Sequence, residues 1–183
     1  MTSATTVQIP GYIAGTWDID PTHSTVGFSV RHMMVSKVRG YFREFSGEIV
    51  TADDPTQSSV TATIELGSID TRQEQRDAHI RSADFFDVEN NPEMTFVSTK
   101  VTADALEGDL TIKGVTKPVT LELELNGFGP DAYGGTRAGF SAKTEINRND
   151  FGVDIKMPMD GGGVVVGDKI TVELEIEAVL RTA

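Results

Sequence analysis

Apolar and polar residues alternate along much of this chain, and that alternation limits the fold more than any other feature of the sequence. In residues 170–178 every second residue is apolar, and the residues between them are threonine or glutamate. Side chains of a β-strand point alternately to opposite faces, so this pattern predicts a strand with one buried and one wet face. The same alternation recurs at 24–32, 60–66, 106–112 and 119–126, and more weakly near 16–20, 39–50, 94–101 and 137–146.

The number of strands, the length and the charge narrow the class of protein. Roughly eight strands with one apolar face each predict an antiparallel barrel or a sandwich. A chain of 183 residues is most simply one domain. Cysteine is absent, which excludes disulfides, thiolate catalysis and cysteine-based zinc sites. The formal charge of −12 argues against a nucleic-acid partner, because phosphate binding needs a basic surface.

The N-terminal residues give an expectation about location. Residues 1–14 are predicted to form a flexible arm ahead of the barrel. The first ten residues hold no lysine or arginine and no continuous apolar core, so we expect no secretory signal and a cytoplasmic protein. No apolar run approaches the length of a membrane-spanning helix, so no integral membrane segment is expected.

Residues 68–87 break the alternation. This segment sets arginine, aspartate and histidine beside three apolar anchors, Ile80, Phe85 and Phe86. A charged, partly helical insert between strands has to pack against something, and the open end of a sheet or barrel is the natural place. The sequence therefore predicts a short helical lid that closes a cavity, with Asp77 helping to hold it down.

Several motifs along the chain, each weak alone, together resemble those of the YceI-like family of lipocalin-like, polyisoprenoid-binding proteins. The resemblance covers nearly the whole chain from about residue 15 onward. The matching stretches are Trp17-Asp18-Ile19-Asp20, Phe28-Ser29-Val30-Arg31-His32-Met33, Val38-Arg39-Gly40-Tyr41-Phe42, Ser68-Ile69-Asp70-Thr71, Arg76-Asp77-Ala78-His79-Ile80-Arg81, Asn91-Pro92-Glu93-Met94-Thr95-Phe96, Gly108-Asp109-Leu110-Thr111-Ile112-Lys113-Gly114 and Asn147-Arg148-Asn149-Asp150-Phe151-Gly152.

The resemblance implies an all-β fold with a short helical insert, namely an extended, lipocalin-like antiparallel β-barrel over residues 15–183. It implies an interior that holds a long apolar ligand, a polyprenyl species or an isoprenoid quinone, and no cofactor or metal. Many members of the family are exported, whereas the first ten residues here predict a cytoplasmic protein. Family members also form dimers, and an exposed strand edge would let two copies pair.

The inward faces of the predicted strands mix large and small residues, and small inward residues leave room for a ligand. The alternative is an ordinary packed core. With the resemblance, a ligand tunnel is favoured, and its predicted lining is Val26, Phe28, Val30, Ala62, Ile64, Phe86, Phe96, Leu110, Ile112, Phe140, Ala142 and Phe151.

Four polar residues are predicted to form the rim of this tunnel: His32, Arg81, Asn147 and Arg148. His32 continues an apolar face, and its alternative is a buried histidine bonded to the backbone. Arg148 would bind an anionic or carbonyl head group, and its equal alternative is a salt bridge to Asp150 or to an acidic residue of the lid.

The function that these observations favour is binding, storage or transport of a long-chain isoprenoid-type amphiphile. A structural or stress-related module with a filled core is the alternative, and a small metal-dependent enzyme is less favoured. The sequence has no Gly-x-Ser-x-Gly elbow and no His-Glu-x-x-His pair, and its three histidines lie far apart. The triplet Gly161–Gly163 lacks the strand–GxxxxGK[ST]–helix context of a phosphate loop. We therefore expect a protein that is not an enzyme.

Overall fold

The computed structural model describes residues 9–33, 35–155 and 166–182. Strands and one α-helix make up its regular structure. These are β1 (Gly15–Ile19), β2 (Thr25–His32), β3 (Ser36–Phe42), β4 (Phe45–Thr51), β5 (Ser59–Glu65), β6 (Ile69–Asp70), α1 (Glu74–Arg81), β7 (Glu93–Val101), β8 (Ala105–Ile112), β9 (Val115–Pro130), β10 (Thr136–Asn147) and β11 (Val166–Leu180). Short 3₁₀ turns lie at Pro55–Gln57, Leu66–Ser68 and Arg148–Phe151. The triplet Gly161–Gly163 lies outside the described residues.

Eight of the strands close into an antiparallel barrel. They are hydrogen-bonded in the order β1-β4-β5-β7-β8-β9-β10-β11, and β11 pairs back onto β1. Closure removes the free edges that an open sheet would expose, and a barrel of this size has room for one small ligand. The predicted antiparallel β-barrel with a short helical insert is therefore confirmed.

One side of the barrel is extended by a hairpin. The C-terminal part of β11 pairs with β1, for example Leu180 opposite Trp17, whereas its earlier part pairs with β2, for example Leu174 opposite Val26. Strand β3 pairs with β2 along its length, and the short β6 adds to β3 at Phe42. The β2–β3 hairpin therefore continues the barrel wall past the end of β1.

Trp17 organises the packing at the β1 end of the barrel. Its side chain is 0% exposed, and its indole N–H donates to the Thr51 hydroxyl at 2.9 Å. Its ring meets Phe128 edge-on at a centroid distance of 5.5 Å, and it packs with Ala138 and Ala178. A large aromatic side chain whose polar atom has a partner can fill such a position without an unsatisfied donor.

The first barrel strand begins at Gly15, as predicted, but part of the preceding arm contacts the barrel wall. Tyr12, placed in the flexible arm, donates its hydroxyl proton to the Ala52 carbonyl at 2.5 Å. Its ring also meets Phe128 at 5.4 Å. Tyr12 is therefore packed on the wall and is not part of a loose arm, a contact that strand alternation cannot report. Within residues 9–33, 35–155 and 166–182, no helix has the length and hydropathy that crossing a membrane requires.

Candidate ligand-binding site

A cavity of about 1200 Å³ runs through the barrel. Its wall includes Thr51 and Ser58, at one end of β4 and β5, as well as Phe45 and Ile64, at the other end of the same two strands. The cavity therefore follows the strands over their length. Most of its wall is aliphatic or aromatic, because it is built from the apolar inward faces that the alternation predicts.

Every residue predicted to line the tunnel lies in this wall. They are Val26, Phe28, Val30, Ala62, Ile64, Phe86, Phe96, Leu110, Ile112, Phe140, Ala142 and Phe151. Strand register brings them together, since Ala62 lies opposite Phe96 and Phe96 lies opposite Leu110. That these side chains contact a ligand remains a prediction.

The sequence analysis left out other residues of the wall. Leu121, Leu123, Leu174 and Ile176 also line the cavity. The same alternation that indicated their neighbours would have identified them, because they occupy inward positions of β9 and β11. The lid also contributes polar residues to the wall, and strand alternation could not have predicted them. They are Thr71, Gln73, Gln75, Arg76 and His79.

Two of the four residues predicted for the polar rim line the cavity. His32 and Arg148 line the cavity, but Arg81 and Asn147 do not. Arg81 turns back along α1 and pairs with the Glu74 carboxylate at 3.1 Å. Asn147 caps the following 3₁₀ turn, where its side-chain oxygen accepts a hydrogen bond from the Asn149 N–H at 2.9 Å. Both side chains bond to partners nearby in the sequence, so they do not line the cavity.

The Arg148 guanidinium forms its hydrogen bonds with other groups of the protein. Its side chain is 6% exposed, and its guanidinium donates to the carbonyls of Val153 at 2.7 Å and Gly167 at 3.0 Å. A third contact joins it to the Asp168 carboxylate at 3.3 Å. These bonds hold the 3₁₀ turn against the start of β11, so Arg148 has a structural role. Its acidic partner is Asp168, and not Asp150 or a lid residue as the sequence predicted.

Aromatic rings cover two glycines of the wall. A Cβ placed on Gly108 would lie 2.4 Å from the Phe96 ring and 2.7 Å from the Val97 carbonyl oxygen, and a Cβ on Gly40 would lie 2.4 Å from the Phe28 ring. Small inward residues were predicted to leave free space. For Gly108 that interpretation is wrong, because the Phe96 ring fills the position that a side chain would take.

The lid lies against the barrel through both apolar and polar contacts. Ile80 and Phe86 pack with the group around Leu66 and Ile69, and Phe85 packs with Ile112. Asp77, predicted to help hold the lid down, is buried, with 5% of its surface exposed. Its carboxylate accepts hydrogen bonds from the Thr71 N–H at 2.9 Å and the Thr71 hydroxyl at 2.5 Å. Buried hydrogen bonds to a carboxylate are strong, so Asp77 fixes the start of α1.

We expect Phe86→Ala to loosen the lid and to speed ligand exchange by about tenfold, because it removes part of an aromatic anchor from the lid. Stopped-flow exchange of a fluorescent prenyl probe measures this rate, and Tyr133→Ala, at an exposed aromatic residue outside the cavity wall, is the matched control. Hydrogen exchange should show α1 opening more readily than Val172–Ile176. Equal protection of both segments, together with an unchanged exchange rate in Phe86→Ala, would mean that ligands enter elsewhere.

A separate polar cluster lies on the outside of the barrel. Among the described residues, Asp20, His23 and Glu177 are the group of potential metal ligands that come close together. The Arg137 guanidinium already lies 2.8 Å from the Asp20 carboxylate and 3.2 Å from that of Glu177. Its hydrogen bond, with a smaller contribution from His23, holds the pKa of Asp20 well below the usual range. The cluster is therefore an ion-pair network, and a cation there would compete with arginine.

Comparisons with known proteins agree with the fold. A family model described as the YceI-like domain matches residues 17–178. A UPF0312 protein of Staphylococcus epidermidis is 38% identical over 163 residues, which cover 88% of this chain and 95% of the relative.

Two solved structures share the architecture. BcnA of Burkholderia cenocepacia matches with a TM-score of 0.73 at 24% identity, covering 87% of this chain and 98% of that one. A domain of Saccharophagus degradans, described as a polyisoprenoid binding domain implicated in plant cell wall breakdown, matches with a TM-score of 0.70 at 14% identity, covering 92% and 100%. At these identities the two structures support the fold. Together with the family model and the relative, they lead to one assignment: this chain belongs to the YceI-like domain family.

Proposed function

We propose that this protein binds a long-chain isoprenoid-type amphiphile, a polyprenyl species or an isoprenoid quinone, inside its barrel. The observation that carries the proposal is the apolar cavity of about 1200 Å³ along the strands. Cavities lined by aliphatic and aromatic side chains with a few polar groups suit ligands with an apolar body and a polar end. A barrel that encloses its ligand suits storage or transport of a molecule that water does not dissolve.

Burial of the tail would supply most of the affinity. Each methylene removed from water contributes about 0.8 kcal/mol, so about ten buried carbons contribute roughly 8 kcal/mol before the costs of association. Polar groups at the lid end, such as His32, Arg76 and His79, would orient the head group. Because apolar burial is not directional, we expect the protein to accept tails of differing chemistry.

The structure supports the two alternative functions considered from the sequence less well than ligand binding. A module with a filled core would have no space of this size, because native cores contain few voids larger than a water molecule. The polar clusters do not favour an enzyme. Arg137 already pairs with Asp20 in the outer cluster, and His79 pairs with Asp84 at 2.9 Å on the lid. We therefore propose a binding protein without catalytic activity. A cytoplasmic location stays a prediction, which cell fractionation would check.

The proposal predicts that affinity follows tail length. We expect the Kd of prenyl alcohols to fall with each added isoprene unit until the cavity is full, and then to level off. Displacement of a fluorescent prenyl probe at equilibrium measures this series, with straight-chain alcohols of equal carbon number as the comparison. An affinity that does not change with tail length would contradict tail burial, and a preference for straight chains would move the ligand class from isoprenoids to acyl lipids.

A further inference from the structure

The β2–β3 hairpin is basic, although the chain as a whole is acidic. The sequence has 28 acidic and 16 basic residues, yet none of the acidic ones lies between Asp20 and Glu44. Arg31, Lys37 and Arg39 fall within that stretch. Charges separated by more than about 8 Å are largely screened at physiological salt. The local charge of the hairpin, and not the net charge, therefore decides what its surface attracts.

Register places these three cations on the same face of the hairpin. Arg31 lies directly opposite Lys37 across the two strands, and Arg39 lies opposite Ser29. All three side chains belong to exposed residues, and none of them forms an ion pair with a described residue. Like charges directly opposite each other destabilise a strand pair. The hairpin therefore keeps a repulsive arrangement that an anion outside the protein would relieve.

The neighbouring strand does not neutralise this face. The acidic residue that β11 brings nearest to the end of β2 is Asp168, between Val166, which pairs with His32, and Ile170, which pairs with Val30. The Asp168 carboxylate is already 3.3 Å from the Arg148 guanidinium. On the other side of the hairpin, Asp70 is paired with Arg43.

The tip of the hairpin is apolar and exposed. Val35 is 84% exposed and Met33 is 43% exposed. Met33 has a positive φ of 51°, which turns the chain at the end of β2. Exposed apolar residues next to clustered cations are typical of segments that lie in the headgroup region of a lipid bilayer.

The inner face of the same hairpin belongs to the cavity wall. Val30, His32 and Val38 line the cavity, and Arg31 also borders it, while Lys37 and Arg39 are exposed and lie outside its wall. A bilayer that touches the tip would therefore lie at the end of the wall along which the ligand tail packs.

We propose that the β2–β3 hairpin docks on an anionic lipid surface through Met33, Val35 and the three cations, and that the cavity exchanges its ligand with the bilayer there. The exchange step rests on the proposed function, whereas docking can be tested without any ligand. Charge complementarity selects this partner. Each lysine or arginine near an anionic bilayer contributes about 1 kcal/mol, or roughly fivefold in affinity.

Protection of a strand edge is the competing explanation. From Ser36 to Gly40, β3 has β2 on one side and no described strand on the other. Cations on such an edge prevent pairing with another chain. A second copy presenting the same edge would bring its own cations opposite these, so the charges disfavour a dimer at this edge.

Flotation of the ligand-free protein with vesicles tests docking. We expect binding to vesicles of equal parts phosphatidylcholine and phosphatidylglycerol, weaker binding at high salt, and none to phosphatidylcholine alone. Lys37→Gln combined with Arg39→Gln should lower the affinity roughly twenty-fivefold. Lys100→Gln combined with Lys117→Gln changes the charge equally on the other strands and should have little effect. Val35→Ser should also weaken binding.

Equal binding to both kinds of vesicle, or equal losses in the two double variants, would overturn the inference. So would a Lys37/Arg39 variant that keeps its vesicle affinity but self-associates, because the cations would then serve to protect the edge. Binding of the fluorescent prenyl probe in solution is measured in parallel. A protein that binds vesicles but no probe would refute the proposed function alone, and one that binds probe but no vesicles would refute docking alone.

Discussion

Replacing Arg148 by alanine is expected to lower the free energy of unfolding by about 3 kcal/mol or more. The change leaves the buried carbonyl of Val153 and the partly buried carbonyl of Gly167 without their donor. Leaving a buried acceptor unsatisfied costs about 1–3 kcal/mol each, and truncating the buried side chain also removes its packing. Arg148→Lys should lower the free energy of unfolding by less, because lysine keeps the positive charge. It should still lower it, because a single ammonium group cannot reach both carbonyls as the guanidinium fork does.

Urea unfolding at equilibrium measures these differences, with Arg39→Ala as the control. Arg39 is exposed and its loss should change stability by less than about 0.5 kcal/mol. An Arg148→Ala protein as stable as the control, but defective in binding prenyl compounds, would show that Arg148 serves the ligand and not the fold.

Filling the cavity is expected to abolish most of the ligand affinity. Ala62 lies in the cavity wall, with Gly47 and Phe96 opposite it on the neighbouring strands. An indole at this position would take space from about four methylenes of a bound tail. At about 0.8 kcal/mol each, Ala62→Trp should weaken prenyl binding by more than a hundredfold.

The matched control for this change is Val97→Trp. Val97 follows Phe96 on β7 and is largely exposed, so its side chain points away from the cavity. Displacement of the fluorescent prenyl probe should give an unchanged Kd for Val97→Trp, while circular dichroism shows that both variants keep the barrel. Undiminished binding by a folded Ala62→Trp protein would place the ligand outside the barrel.

Strand alternation predicted an antiparallel barrel or sandwich and the apolar face of each strand, whereas the choice of a barrel with a ligand tunnel came from the family resemblance. Residues such as Phe28, Phe96 and Ala142 repeat every second position, and period-2 repetition reports directly which face is buried. Alternation does not report which strands pair. The closure of β11 onto β1, and the change of partner from β1 to β2 along β11, depend on contacts between distant parts of the chain.

Polar residues were harder to place, because their positions depend on partners that are not neighbours in sequence. Arg148 is held by carbonyls up to 19 residues away. Asp77 is buried because Thr71, in the turn before α1, supplies two donors. Arg81 was predicted to face the cavity, but Glu74 on the same helix offers a closer partner.

Mass spectrometry of an organic extract of the purified protein tests the central claim most directly. The account predicts a long-chain apolar molecule, a polyprenyl species or an isoprenoid quinone, in near-stoichiometric amount. The same extract from Ala62→Trp, purified in parallel, should contain little or none of it. An extract without such a molecule, from a wild-type protein that also fails to bind added prenyl compounds, would contradict the account.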